Sequence, residues 1–278
     1  MVLQVFKYYE IFCGSVERGS DMLKVRIIPT LLWKTSGLVK GVGFDSWRRI
    51  GTVMPAIKVY NTRQVDELIL LDIAATPDGM EPNYDLIAEF SSECFVPLTV
   101  GGGIKNIEHI KKILRAGADK VCLNSIAYEN PNLITEASDK FGAQCIVVSI
   151  DARKGANGSY ECFSECGTRP TGQEVGNWAE KMEKAGAGEI LITSIERDGT
   201  MQGYDIDLIR QVTDKVRIPV IASGGAGTYE HIYEALAKGK ASAVAAASIF
   251  QFTQQTPLEI KKYLGDKGIP VRNINAKL

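Results

Sequence analysis

Carboxylates and glycine clusters stand where apolar runs of this chain stop, and that pattern suits a phosphorylated ligand with acid–base chemistry beside it. Asp72 and Asp151 each close an apolar run, and Asp198 follows another in Glu196-Arg-Asp-Gly199. A carboxylate held among apolar walls has its pKa raised, which would fit Asp151 for general-base work. For each aspartate the plainer alternative is a loop cap or a salt bridge. Gly101-Gly102-Gly103 and Gly224-Gly225 let backbone N–H groups approach an anion with no Cβ in the way. Each is followed by a predicted helix whose N-terminus favours negative charge. Ala246-Ala247-Ser248 adds close backbone beside the second cluster, and Asn124-Ser125 takes the matching place beside the first. Thr193 and Ser223 supply hydroxyls, and Lys40, in Val39-Lys-Gly41, is a candidate phosphate or substrate contact. A solvated lysine and simple tight turns are the plainer readings of Lys40 and of the glycines.

The glycine clusters belong to a longer repeat. Val96–Ile104 is followed by Glu108-His109-Ile110, and Ile218–Ala226 by Glu230-His231-Ile232, half a chain away. That spacing is too long for a solenoid. It predicts two half-barrels, each with its own phosphate cradle. The elements that must position these residues alternate regularly. Strands are expected near Val25–Leu32, Glu67–Ile73, Val96–Val100, Lys120–Asn124, Gln144–Asp151, Glu189–Ser194, Ile218–Ser223 and Ala243–Ala247. Their Val/Ile/Leu runs show little alternation, as parallel strands covered on both faces do. Helices are expected near Val53–Arg63, Tyr84–Glu93, Ile107–Ala116, Pro131–Phe141, Glu174–Ala185, Asp207–Lys215, Tyr229–Ala237 and Leu258–Lys267. Eight alternations predict an α/β fold, a (β/α)8 TIM barrel with a two-fold half-barrel repeat. No G-x-G-x-x-G opens a helix after a strand, which argues against a dinucleotide fold. The long connections 34–52 and 153–172 follow the first and fifth strands, on the face where barrel enzymes keep their chemistry. They are expected to be lids, with surface hairpins as the plainer reading. His109 and His231 fall on outer helices, where structural roles are expected.

Composition excludes several classes. Of 278 residues, 45% are hydrophobic and 23% charged, with a net charge of -1, so no basic field argues for nucleic acid. Six scattered cysteines favour a reducing cytoplasm over secretion. Cys162 and Cys166 form a single C-x3-C without a second ligand pair, so no metal is implied. Met1–Asp21 is neither a signal peptide nor a membrane span and is expected to be a poorly ordered extension. Residues 22–278 are expected to form one barrel domain.

The ordered motifs Arg26-Ile-Ile-Pro29, Val39-Lys-Gly41, Leu71-Asp-Ile73, Leu98–Ile104, Ala116-Gly-Ala-Asp-Lys120, Ser149-Ile-Asp151, Arg197-Asp-Gly-Thr200 and Ala222–Gly227 together resemble HisF, the cyclase subunit of imidazole glycerol phosphate synthase. The resemblance runs from about residue 23 to 271. It implies a bis-phosphate ligand, no cofactor, and a separate HisH-like glutaminase whose ammonia enters from the amino-terminal face. It implies Asp151 as general base. Phosphate contacts would be Gly102, Gly103, Asn124 and Ser125 on one side, and Asp198, Gly199, Gly225, Ala247 and Ser248 on the other. It implies an ammonia gate of alternating charges at Arg26, Glu67, Lys120 and Glu189, all present. The chain departs from the family at Leu32, which stands where the family has its general acid, and Gly51-Thr52-Val53 replaces Gly-Asp-Pro. Pro29–Lys34 and Ser92–Pro97 are similar to a side branch of HisF-like proteins tied to surface-polysaccharide synthesis. There the barrel and glutaminase are thought to supply ammonia to a separate amidotransferase that makes an acetamidino sugar. That role is the favoured expectation. A working histidine-pathway cyclase and a non-enzymatic scaffold for the glutaminase are the alternatives.

Overall fold

The computed structural model describes residues 23–35 and 37–272. The segment expected to be a loose extension lies outside the described residues. Twelve strands are β1 (Arg26–Lys34), β2 (Gly37–Val42), β3 (Asp45–Gly51), β4 (Leu68–Asp72), β5 (Leu98–Gly101), β6 (Lys120–Leu123), β7 (Ile146–Lys154), β8 (Tyr160–Ser164), β9 (Arg169–Glu174), β10 (Glu189–Ser194), β11 (Val220–Ser223) and β12 (Ala243–Ala246). Eight of them pair in parallel in the order β1-β4-β5-β6-β7-β10-β11-β12, and β12 returns to β1. The result is a closed parallel barrel, as the alternation of runs predicts.

Helices α1 (Val53–Thr62), α2 (Tyr84–Ser92), α3 (Ile107–Arg115), α4 (Ser125–Glu129), α5 (Asn132–Phe141), α6 (Val175–Lys184), α7 (Ile206–Thr213), α8 (Tyr229–Ala237), α9 (Ser248–Phe252) and α10 (Pro257–Asp266) follow the strands. Several begin on a side-chain cap. Asn83, Asn106, Asp205 and Thr228 accept from the N–H three residues on, and Thr256 with Glu259 makes a capping box. Every second strand residue, such as Ile27, Leu31, Leu68 and Leu70, packs outward into the main core beneath these helices.

The other residues face the barrel axis. Barrel strands tilt, so the level climbs along the strands from one to the next, and alternate strands contribute to each level. Tracing the pairings gives Glu67, Lys120, Glu189 and Ala243 at the amino-terminal end. Above them come Ile28, Thr99, Val147 and Ile221, then Ile69, Cys122, Leu191 and Ala245. These two levels, with Ala243, make a separate buried cluster, apart from Thr99. Thr30, Gly101, Ser149 and Ser223 follow, then Leu71, Asn124, Thr193 and Ala247, and finally Leu32 and Asp151 at the mouth.

The two long connections are β-hairpins. β2 folds back on β1 and carries β3, and β8 folds back on β7 and carries β9. The lid reading thus gives way to ordered antiparallel extensions of the barrel strands, with their tips turned over the mouth. Phe44, at the first tip, lies against Gly167 of the second, and Ile195 approaches the same glycine. The last helix is pinned from below. Lys261 Nζ sits 2.6 Å from Asp66 Oδ1, and Asp66 Oδ2 accepts from the Ile27 N–H at 2.9 Å.

Candidate functional site

The mouth cavity is lined from nearly every barrel strand and both hairpins. Asp151 is buried there at the end of its β7 run. Burial pushes its pKa up to about 7, with Asp198 adding to the rise. The Asn124 amide, donating to Asp151 Oδ2 at 2.8 Å, opposes that rise. Asp151 therefore stands near the midpoint of its titration at neutral pH, where a carboxylate can both take and release a proton. Leu32 lines the same cavity from β1. No acid stands at that position, so Asp151 faces an aliphatic side chain at its own level.

Asp72 combines both readings weighed for it. It lines the cavity and also caps the following turn, accepting from Ala74 and Ala75 N–H at 3.0 and 3.1 Å. Burial raises its pKa while these two donors hold it back. Asp198 is paired with Lys40, whose Nζ lies 2.7 Å from its carboxylate. Lys40 is 3% exposed, so the solvated reading fails. Its charge is spent on Asp198 across 158 residues of sequence, and the pair fastens the first hairpin to the loop after β10. Gly43 N–H donates to the Asp198 carbonyl at 2.9 Å, completing the attachment.

The glycine clusters end β5 and β11. Gly102 and Gly225 take φ of +111 and +106, a region open to glycine at little cost. A Cβ on Gly102 would strike the Asp72 carbonyl, and one on Gly225 the Gly203 carbonyl. Close chain packing alone thus requires glycine there, before any ligand is considered. Gly103, Gly199 and Gly224 also hold positive φ and line the cavity with Ala247. Ser125 lines it too, and its Oγ accepts from Glu165 N–H of the second hairpin at 3.0 Å. Asn124 Oδ1, Ser248 Oγ and Thr30 Oγ1 are buried on the cavity wall without a hydrogen-bond partner. Buried polar atoms left unpaired cost free energy, so their presence around one cavity, from β6 on one side and β1 and β12 on the other, favours a ligand that completes them.

At the opposite end, four charges alternate in a closed ring. Arg26 lies 2.8 Å from Glu67 and 3.0 Å from Glu189, and Lys120 lies 3.0 Å from each of the same two carboxylates. Glu67 also accepts from the Thr99 hydroxyl at 2.7 Å. Burial disfavours the Arg26 cation, but Glu189 and Glu67 outweigh it and hold its pKa above the ordinary value. The fourth position at the level of the ring is Ala243, across the β1–β12 pairing from Arg26, which leaves room for the guanidinium.

The sequence profile of the family described as histidine biosynthesis protein matches residues 26–256. The chain belongs to the histidine biosynthesis protein family. Within that family match lie all of the candidate residues named above, from Arg26 to Ser248. Sequence reasoning overlooked Phe44, Trp47 and Cys166, which reach the mouth from the hairpins, and Thr30 and Ser149 beneath it. Burial pushes the Cys166 thiol up to about 12, so it is not a nucleophile at neutral pH. Thr30 and Ser149 carried a legible sign, polar residues at inward positions of otherwise apolar runs. His109 is structural, its Nδ1 3.3 Å from the Gly103 carbonyl. Among the described residues no group of three His, Cys, Asp or Glu side chains fits a metal ion, and the described cysteines are free. No described helix is long and apolar enough to cross a membrane.

Proposed function

We propose that this chain is the ammonia-conducting barrel of a glutamine-dependent nitrogen-transfer complex, with little cyclase activity of its own. A HisH-like glutaminase docks at the amino-terminal face and releases ammonia below the ring of Arg26, Glu67, Lys120 and Glu189, which acts as the gate. Ammonia passes the two apolar levels and leaves at the mouth, where a separate amidotransferase uses it to make an acetamidino sugar for surface polysaccharide. One observation carries the reading: the ring is complete, yet Leu32 stands opposite Asp151 where the cyclase reaction needs a second proton-handling group. The apolar levels support it physically. An unpaired ion crossing them would lose its hydration without compensation, whereas neutral ammonia gives up only a few hydrogen bonds.

A second reading, a working cyclase for the histidine-pathway bis-phosphate, draws support from the near-neutral Asp151 and the unpartnered Asn124 and Ser248 atoms. One experiment separates the two. The purified chain is given ammonium salt and that bis-phosphate. Conduction predicts turnover depressed by about 10²–10⁴-fold relative to an ordinary cyclase, the usual effect of a missing acid or base, and a rise in Leu32→Asp. Ordinary turnover by the unaltered chain would establish the cyclase reading instead.

A further inference from the structure

The level beneath the mouth has a composition that neither conduction nor cyclisation requires. Strands β1, β7 and β11 place Thr30, Ser149 and Ser223 at one height on the axis, and the fourth position is Gly101, which contributes no side chain. All three residues line the cavity, which reaches down past them to Cys122, Leu191 and Ala245. Below them lie Ile69, Cys122, Leu191 and Ala245; above them come Leu71, Asn124, Thr193 and Ala247, and then Asp151 at the mouth. Hydroxyls are the first polar side chains above the apolar shaft.

Thr30 decides what this level is for. The residue is 8% exposed, and its Oγ1 is buried with no hydrogen-bond partner. Leaving a buried hydroxyl unpaired typically costs about 1–3 kcal/mol, and valine would fill the same volume without that cost. Ser149 bears on the Asp151 carboxylate above it and the Cys122 thiol below it, and favours the charged form of each. The level therefore holds one unpartnered hydroxyl and a second that bears on the carboxylate.

We propose that Thr30, Ser149 and Ser223 form a holding site for one molecule of ammonia at the top of the apolar shaft. Ammonia carries three N–H donors and one lone pair, and three hydroxyl oxygens at one height on three strands can accept what it donates. The Thr30 hydroxyl can turn either to accept an N–H or to donate to the lone pair. Nitrogen arriving from the shaft regains there the hydrogen bonds it gave up on entering. It is held under Asp151 until a recipient at the mouth takes it. The inference rests on the conducting role proposed above and names where nitrogen waits within it.

The test is ¹H–¹⁵N NMR of the full chain in ¹⁵N-ammonium chloride at pH 8.5, comparing it with Thr30→Val and with the double variant Thr30→Val, Ser149→Ala. A protein-bound nitrogen line that exchanges slowly with bulk is expected for the unaltered chain. It should weaken at least tenfold in Thr30→Val and vanish in the double variant, while circular dichroism melting shows both variants folded. Absence of the line from the unaltered chain, or its survival in the folded double variant, overturns the holding site. Glu67→Gln, which disturbs the ring and leaves these hydroxyls in place, keeps the line if the site is as described. A parallel measurement follows ¹⁵N from glutamine through the complex with its glutaminase. Nitrogen transfer without a bound line refutes the holding site and leaves conduction standing. A bound line without transfer refutes conduction and leaves the site.

Discussion

Replacing Glu67 by glutamine removes one charge from a ring whose four charges cancel. The carboxylate side chain is 2% exposed and accepts from Arg26 at 2.8 Å, Lys120 at 3.0 Å and Thr99 at 2.7 Å. Glutamine keeps the shape but leaves two cations sharing Glu189. Breaking a buried pair from one side costs about 3–5 kcal/mol. The Arg26 side chain, at 24% exposure, recovers part of this through water, which puts the expected cost near the lower figure, ~3 kcal/mol. For a domain of this size each kcal/mol lowers the melting temperature by about 2–4 °C, so Glu67→Gln should melt about 6–12 °C lower. Adding Lys120→Met restores neutrality, and the double variant should recover at least half of the loss. Melting followed by circular dichroism at pH 7.5 reads both. A fall of under ~2 °C, or a double variant no better than the single, would show that water screens the ring and that it is not a desolvated network.

Three further outcomes follow from the geometry. Asp151 has a folded pKa near 7, above its unfolded value of about 3.9. The folded state therefore holds the extra proton between those values, and the contribution of Asp151 is present below about pH 4 and lost as pH rises through 7. Asp151→Asn should accordingly gain stability over the unaltered chain at pH 8 and lose that advantage at pH 4, as urea unfolding at the two pH values will show; the opposite trend would refute the burial argument. Gly199 holds φ +76, and a Cβ there would strike the Gly41 carbonyl. Gly199→Ala should push the first hairpin off the loop after β10, and limited proteolysis should then cut within 37–51 much faster than in the unaltered chain. Lys40→Met strips Asp198 of its partner and should open the same hairpin, costing about 3 kcal/mol or more in thermal unfolding; unchanged stability would mean that the pair is ornamental.

The barrel was legible because its strands are apolar on both faces, and Glu189–Ser194 and Tyr229–Ala237 occur with the expected bounds. The hairpins were not. β9 reads Arg-Pro-Thr-Gly-Gln-Glu, polar and largely exposed, and nothing in such a run announces a strand until β8 supplies its partner. Helices α4 and α9 have five residues each, too few to show a helical period. Aspartates and glycines at strand ends were visible because strand ends are. The Lys40–Asp198 pair was not, since its members are far apart in sequence and each has an ordinary local context. The ring came through resemblance: four strand-start charges have no visible relation until the strands close around one axis.

That closure has a consequence for how the protein is made. The first and last barrel strands are partners, with Arg26 beside Ala243 and Ile28 beside Ala245. A ribosome emits β1 long before β12, so for most of synthesis one edge of the nascent sheet has backbone groups awaiting a partner that does not yet exist. Sealing then requires contacts between strands far apart in the chain, the kind that slows folding most. Newborn chains should consequently lean on chaperones until the final turn has left the exit tunnel, and premature termination anywhere before Ala243 should yield aggregates instead of a smaller soluble product.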